Sequence, residues 1–168
     1  MKKALISILL AGMLILYGCP AQTEESIDNG SYVALAWFSG TWKEVKAVGK
    51  GDMYIIEPVK DKKGNFSAYK LDSLGRKSEL DKIPVILSDV GGEIFLNAYG
   101  LGGEMNQEGW FLFKLKKESS KEFSILPVKE YEIEFSSTQE EVKAFIQKNK
   151  DNIAIFDETQ LAHYKKVK

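Results

Sequence analysis

Cysteine is almost missing from this chain: Cys19 is the only one in 168 residues. A disulfide within the chain is excluded, and so is a zinc cluster built on thiolates. Histidine is equally scarce, with His163 alone, so no His/Cys set stands at ligand spacing. There is no Gly-x-Ser-x-Gly elbow to place a nucleophilic serine. Gly100, Gly102, Gly103 and Gly109 match neither G-x-G-x-x-G nor a phosphate loop with its lysine. Clustered oxygens for calcium are lacking too, since "DVGGE" and "DKKGN" read as turns. Glu132 and Glu134 could mimic a glycosidase pair, but their alternation with apolar residues puts them on a wet face. These absences leave no catalytic residue to name, no cofactor and no metal, and the expectation is a protein that is not an enzyme.

What is present begins with an address. Met1-Lys2-Lys3 is basic, and Ala4 to Tyr17 is an uncharged apolar run. That order is a secretory leader, and the run falls short of the roughly 20 residues a membrane span needs. It ends in Leu16-Tyr17-Gly18-Cys19, which resembles the lipobox of bacterial lipoproteins. The resemblance implies thioether alkylation of Cys19, cleavage before it and a membrane partner held through acyl chains. Two or more chains anchor stably where one binds marginally. Residues 1–18 are then a signal peptide, and the location is the bacterial cell envelope. That means the outer membrane where the cell has one, since Pro20 is not the retaining aspartate, and otherwise the plasma membrane.

Residues 20–31, "PAQTEESIDNGS", hold one large apolar residue, Ile27. The expectation is a flexible stalk over 19–31 with almost nothing to bury, followed by a single domain over 32–168. Of 23 basic residues two lie in the leader, which leaves 21 against 24 acidic ones and a net charge of −3. No basic stripe exists, which argues against nucleic acid.

The domain reads as mainly β: an antiparallel sheet or half-closed barrel with one C-terminal amphipathic helix packed on it. "DMYIIEPVKDKKGNFSAYKLD" and "IPVILSDVGGEIFLNAYG" are hairpin patterns, the second turning on Gly91-Gly92. "GWFLFKLK", "EFSILPV" and the alternating "YEIEF" read as strands. Residues Ile94 to Tyr99 are apolar on both faces, so a second layer, a helix or a ligand must cover one of them. Ser137 or Thr138 with Glu140 or Glu141 forms a capping box, and Val142, Phe145 and Ile146 make one stripe of the helix that follows. Ile153–Phe156 and Leu161–Val167 read as returns to the sheet. The glycine-rich stretch 100–109 reads as a long loop, which with Met105 and Trp110 is the first candidate contact surface.

Gly40-Thr41-Trp42 resembles the Gly-x-Trp signature on the first strand of lipocalins. That resemblance implies an eight-stranded barrel with Trp42 as a plug or core residue at one end. The family's arginine partner, late in the chain, has no counterpart, because the only arginine is Arg76. From Lys82 onward "IPVILSDVGGEIFLNAYG" and "FSSTQEEVKAFIQKNKDNIAIFDE" also resemble uncharacterised bacterial lipoproteins. Two functions follow. One is a non-enzymatic binding module for a small apolar ligand or lipid, which needs an apolar cavity. The other is an envelope protein–protein interaction module with a solid core. The lipid claim is testable directly. Cells fed a clickable palmitate analogue should label the wild type and not Cys19→Ser, which should persist as the full-length precursor. Equal labelling would remove the lipoprotein reading.

Overall fold

Gly91 and Gly92 both take positive φ, 61° and 85°, the handedness a two-residue hairpin turn demands. They join Val90 to Glu93 and start a run of nearest-neighbour antiparallel pairings. The computed structural model describes residues 20–32, 36–46, 49–102, 107–129 and 132–167. Cys19, Met105 and Tyr131 lie outside the described residues, as does the lipobox. The strands are β1 (Gln22–Thr23), β2 (Gly40–Val45), β3 (Met53–Pro58), β4 (Asn65–Leu71), β5 (Lys77–Val90), β6 (Glu93–Gly102), β7 (Gln107–Lys117), β8 (Glu122–Pro127) and β9 (Ala162–Lys166). Each of β2 to β8 pairs with the next in sequence, and β9 pairs with both β8 and β2. The result is a closed eight-stranded antiparallel barrel, more complete than the half-closed one expected. β1 lies outside the ring, on the stretch of β7 that β8 does not reach.

Alternation sorts the side chains. Trp42, Ile56, Phe66, Val85, Leu87, Leu96, Leu115 and Phe123 form the inner core. Phe95 and Leu112 point outward and are nonetheless fully buried, in a second core with Ile27, Val128, Val142 and Ile146. The two-sided apolar run Ile94 to Tyr99 is therefore covered on both faces. One outer cover is α1 (Gln139–Asn149), capped by Thr138 and Glu141 in a reciprocal box. Val142 and Ile146 are fully buried, while Phe145 packs from the edge, half-buried.

The other cover corrects the sequence reading. Residues 20–31 are not a free stalk but a strap laid across the barrel. Ala21, Thr23 and Ile27 are fully buried. The Ile27 N–H donates to Asn97 Oδ1 at 3.0 Å, and Asn97 Nδ2 donates to Ser88 Oγ and the Ile86 carbonyl. Asp28 Oδ1 accepts from Ser88 Oγ at 2.7 Å and from the Gly30 N–H at 2.8 Å, and Oδ2 accepts from Ser31 Oγ. Burial alone would raise the Asp28 carboxyl, but these donors outweigh it and hold it below its usual value. Lys143 of α1 approaches the same carboxylate at 3.8 Å. A Cβ on Gly30 or Gly64 would fall within 2.8 Å of the other loop's backbone, so the strap passes the β3–β4 turn at glycine-only distance. Composition misled because the strap's polar atoms are satisfied by Ser88 and Asn97, far along the chain.

Two segments expected as strands are not strands. Residues 132–136 form a turn rather than a strand, although Ile133 is buried and Glu132 and Glu134 are exposed. The edge of β7 is already taken by β8 and β1, so no ladder remains for them. Ile153–Ile155 is a 3-10 turn, with only Phe156 bridging to Val128. Ile27→Ala should cost about 2–5 kcal/mol and Gln147→Ala, exposed on α1, no more than about 0.5 kcal/mol. Chemical denaturation of the leaderless chain measures both, and equal losses would mean that the strap is not docked.

Candidate functional site

The inward residues of the eight strands do not fill the barrel evenly. One end is plugged with aromatic rings. Phe38 lies just ahead of β2 and meets Phe66 at 5.0 Å. Trp42 meets Phe123 at 4.6 Å, edge to face. The Trp42 Nε1–H donates to the Phe38 carbonyl at 2.7 Å, so the indole is buried with its donor satisfied. Trp37 closes the end from outside, edge-on to Trp42 at 6.5 Å. Trp42 thus sits in the barrel core at its closed end.

Lys166, on the final strand, places its ammonium 5.2 Å from the Trp42 ring and donates to the Trp37 carbonyl at 2.9 Å. A lysine stands where the lipocalin pattern has an arginine, and the sequence pattern alone does not single it out. A cation over the indole face needs only a positive head of adequate reach. The signal lay in the pairing of Trp42 with Lys166 across β2 and β9, which no local pattern reveals.

Above this floor the interior is a cup of about 180 Å³, lined by Tyr54, Ile56, Ile83, Val85, Ala98 and Tyr164, among others. Small residues make the space: Ala68 and Ala98 stand where β4 and β6 could have carried larger side chains. Tyr164 stacks on Phe123 at 4.9 Å and meets Tyr54 at 6.2 Å. Beyond the tyrosines the rim carries two ion pairs, Glu44–Lys46 at 3.1 Å and Asp52–Lys70 at 2.9 Å. The Lys70 hydrogen bond holds Asp52 below its usual value, but both pairs are wet and add little stability. A surface dish at the β3–β4 turn is larger, about 440 Å³, yet it is lined mostly by turn residues and lies outside the barrel.

The remaining sequence candidates scatter. Trp110 stands on β7, the strand its "GWFLFKLK" pattern predicts; it is half-buried against the outer core and meets Tyr99 at 5.2 Å. The β6–β7 ladder runs on to the Gly102–Gln107 pair, so Gly100, Gly102 and Gly109 of the expected loop belong to strands. His163 is exposed and faces outward on β9. Among the described residues, no three of His, Cys, Asp and Glu gather as a metal-ion group. No helix there is long and apolar enough to cross a membrane.

Fold and cup define a class: an up-and-down antiparallel β-barrel, closed, with a small apolar interior open at one end. No family model, no curated protein and no solved structure matches the chain.

Burial pushes the Tyr164 phenol above its ordinary range, and Tyr54, Glu44 and Asp52 add to it. An unfolded tyrosine titrates near pH 10. The stability this supplies is full below about pH 10 and falls as pH rises further, because only the unfolded state releases the proton readily. Tyr164→Phe should flatten the alkaline loss of stability, read as denaturation midpoints from about pH 8 to 11. Parallel decline in both proteins would mean that the phenol is not held as described.

Proposed function

We propose that this chain is a membrane-tethered lipoprotein of the bacterial cell envelope, anchored through acyl chains on Cys19. Its barrel serves as a non-enzymatic binding module for a compact apolar ligand. The observation that carries the reading is the cup above Trp42, an apolar space walled by strands and open at one end. Eight strands give an interior that side chains can fill or that can hold one small ligand. Drug-sized ligands occupy about 300–1,000 Å³. At about 180 Å³ the cup suits a single ring or a short branched alkyl group, comparable to an apolar cavity of about 150 Å³ that takes up benzene. A whole lipid exceeds it, so a lipid occupant would insert only the end of a chain.

A second reading, an envelope protein–protein module, is favoured by one observation. Leu74 and Leu80, 72% and 97% exposed, project from the β4–β5 hairpin.

Methyl NMR on the leaderless Cys19→Ser chain tests the first reading. Benzene should shift the Ile83, Val85 and Leu96 methyls saturably, and Ala98→Leu, which fills the cup, should weaken that binding at least tenfold. Absence of saturable shifts, or shifts unaffected by Ala98→Leu, would leave the cup without a ligand role.

A further inference from the structure

We infer that the barrel has no stalk and is seated on the bilayer by one side wall, formed by Lys129, the 3-10 turn Ile153–Ile155 and Leu161. The inference rests on the lipoprotein reading of Cys19. Pro20 forms an antiparallel bridge with Lys129. The Ala21 N–H donates to the Val128 carbonyl at 2.6 Å, and the Leu112 N–H donates to the Ala21 carbonyl at 3.1 Å. Cys19 is bonded to Pro20, so consecutive Cα atoms about 3.8 Å apart separate the lipid-bearing residue from the docked strap. A flexible tether of twelve residues would let the domain stray on the order of 20 Å and turn freely. Here the slack is one residue.

Exposed apolar side chains interrupt the charged surface of the wall at this exit. The Lys129 N–H donates to the Ile155 carbonyl at 2.9 Å and its ammonium to the Ala154 carbonyl, which fixes the 3-10 turn beside the exit. Ile153 and Leu161, 58% and 44% exposed, line one groove of about 360 Å³. Val45, also exposed, faces outward opposite His163, two residues from Leu161. The lysines of the groove, Lys114, Lys116 and Lys150, are paired with Glu93, Glu118 and Asp151, so apolar contact rather than net charge drives the seating. Branched apolar side chains with lysine stems around them suit the headgroup–acyl boundary. The exit point selects the occupant: acyl chains at residue 19 bring this wall to lipid ahead of any other partner. Leu74 and Leu80 stand across the ring, on the β4–β5 side, and so face away from the membrane.

The test uses the lipidated protein purified from membranes and placed in phosphatidylethanolamine/phosphatidylglycerol vesicles containing lipids brominated along their chains. With Cys19 acylated, an added cysteine takes a fluorophore selectively. A probe on Ile153→Cys should be quenched at least threefold more than one on Leu80→Cys, because both sites are exposed but only the first lies on the seated wall. Equal quenching, or more at Leu80→Cys, would overturn the seating while mass spectrometry still finds the lipid on Cys19. Absence of that lipid would bring down the seating and the lipoprotein reading together.

Discussion

The ring of strands closes through β9, and the rest of the molecule depends on that closure. Only five residues, Ala162–Lys166, supply ladder partners to both β8 and β2. Without them β2 and β8 would be open edges, and the aromatic floor would face water. The same strand holds the interior together. Tyr164 stacks on Phe123, and Lys166 lies over Trp42. Closing the sheet and fixing the floor of the cup are therefore one event.

Closure has a cost that the outer layers offset. An apolar stretch on both faces of β6 lines the barrel interior with Leu96 and Ala98 but leaves Phe95 aimed outward. Leu112 of β7 does the same. The strap and α1 bury both completely. The strap is held by direction as well as by area. Asn97 accepts from the Ile27 N–H, and Asp28 gathers donors from Gly30, Ser31 and Ser88. A fully satisfied buried network admits one register, where apolar contact alone tolerates sliding. Residues that could have formed a tether are thereby committed to the fold.

That commitment joins the structure to its proposed role. A domain without a stalk presents fixed faces to its surroundings. On this reading the β8–β9 side meets lipid, the β4–β5 hairpin points away from it, and the cup opens at the end carrying the tyrosines and the Glu44 and Asp52 ion pairs. Bilayer, ligand and any protein partner would then use separate surfaces of one small barrel. The cup's modest volume follows from its plug, since Phe38, Trp42, Phe66 and Phe123 occupy interior space that a larger ligand would need.

The sequence by itself determined whatever depends on near neighbours. Alternation in "GWFLFKLK", the Gly91-Gly92 turn and the Thr138–Glu141 box are local, and each stands where its pattern placed it. So does the need for cover on both faces of Ile94 to Tyr99. Tertiary structure decided the rest, because it depends on partners distant in the chain. Whether "PAQTEESIDNGS" is stalk or strap turns on Ser88 and Asn97, about sixty and seventy residues away from it. Whether "YEIEF" is a strand turns on whether β7 has an edge to spare. Lys166 becomes the partner of Trp42 only once β9 enters between β8 and β2. A residue's burial preference is written in its own side chain, but the group that satisfies it is supplied by the fold.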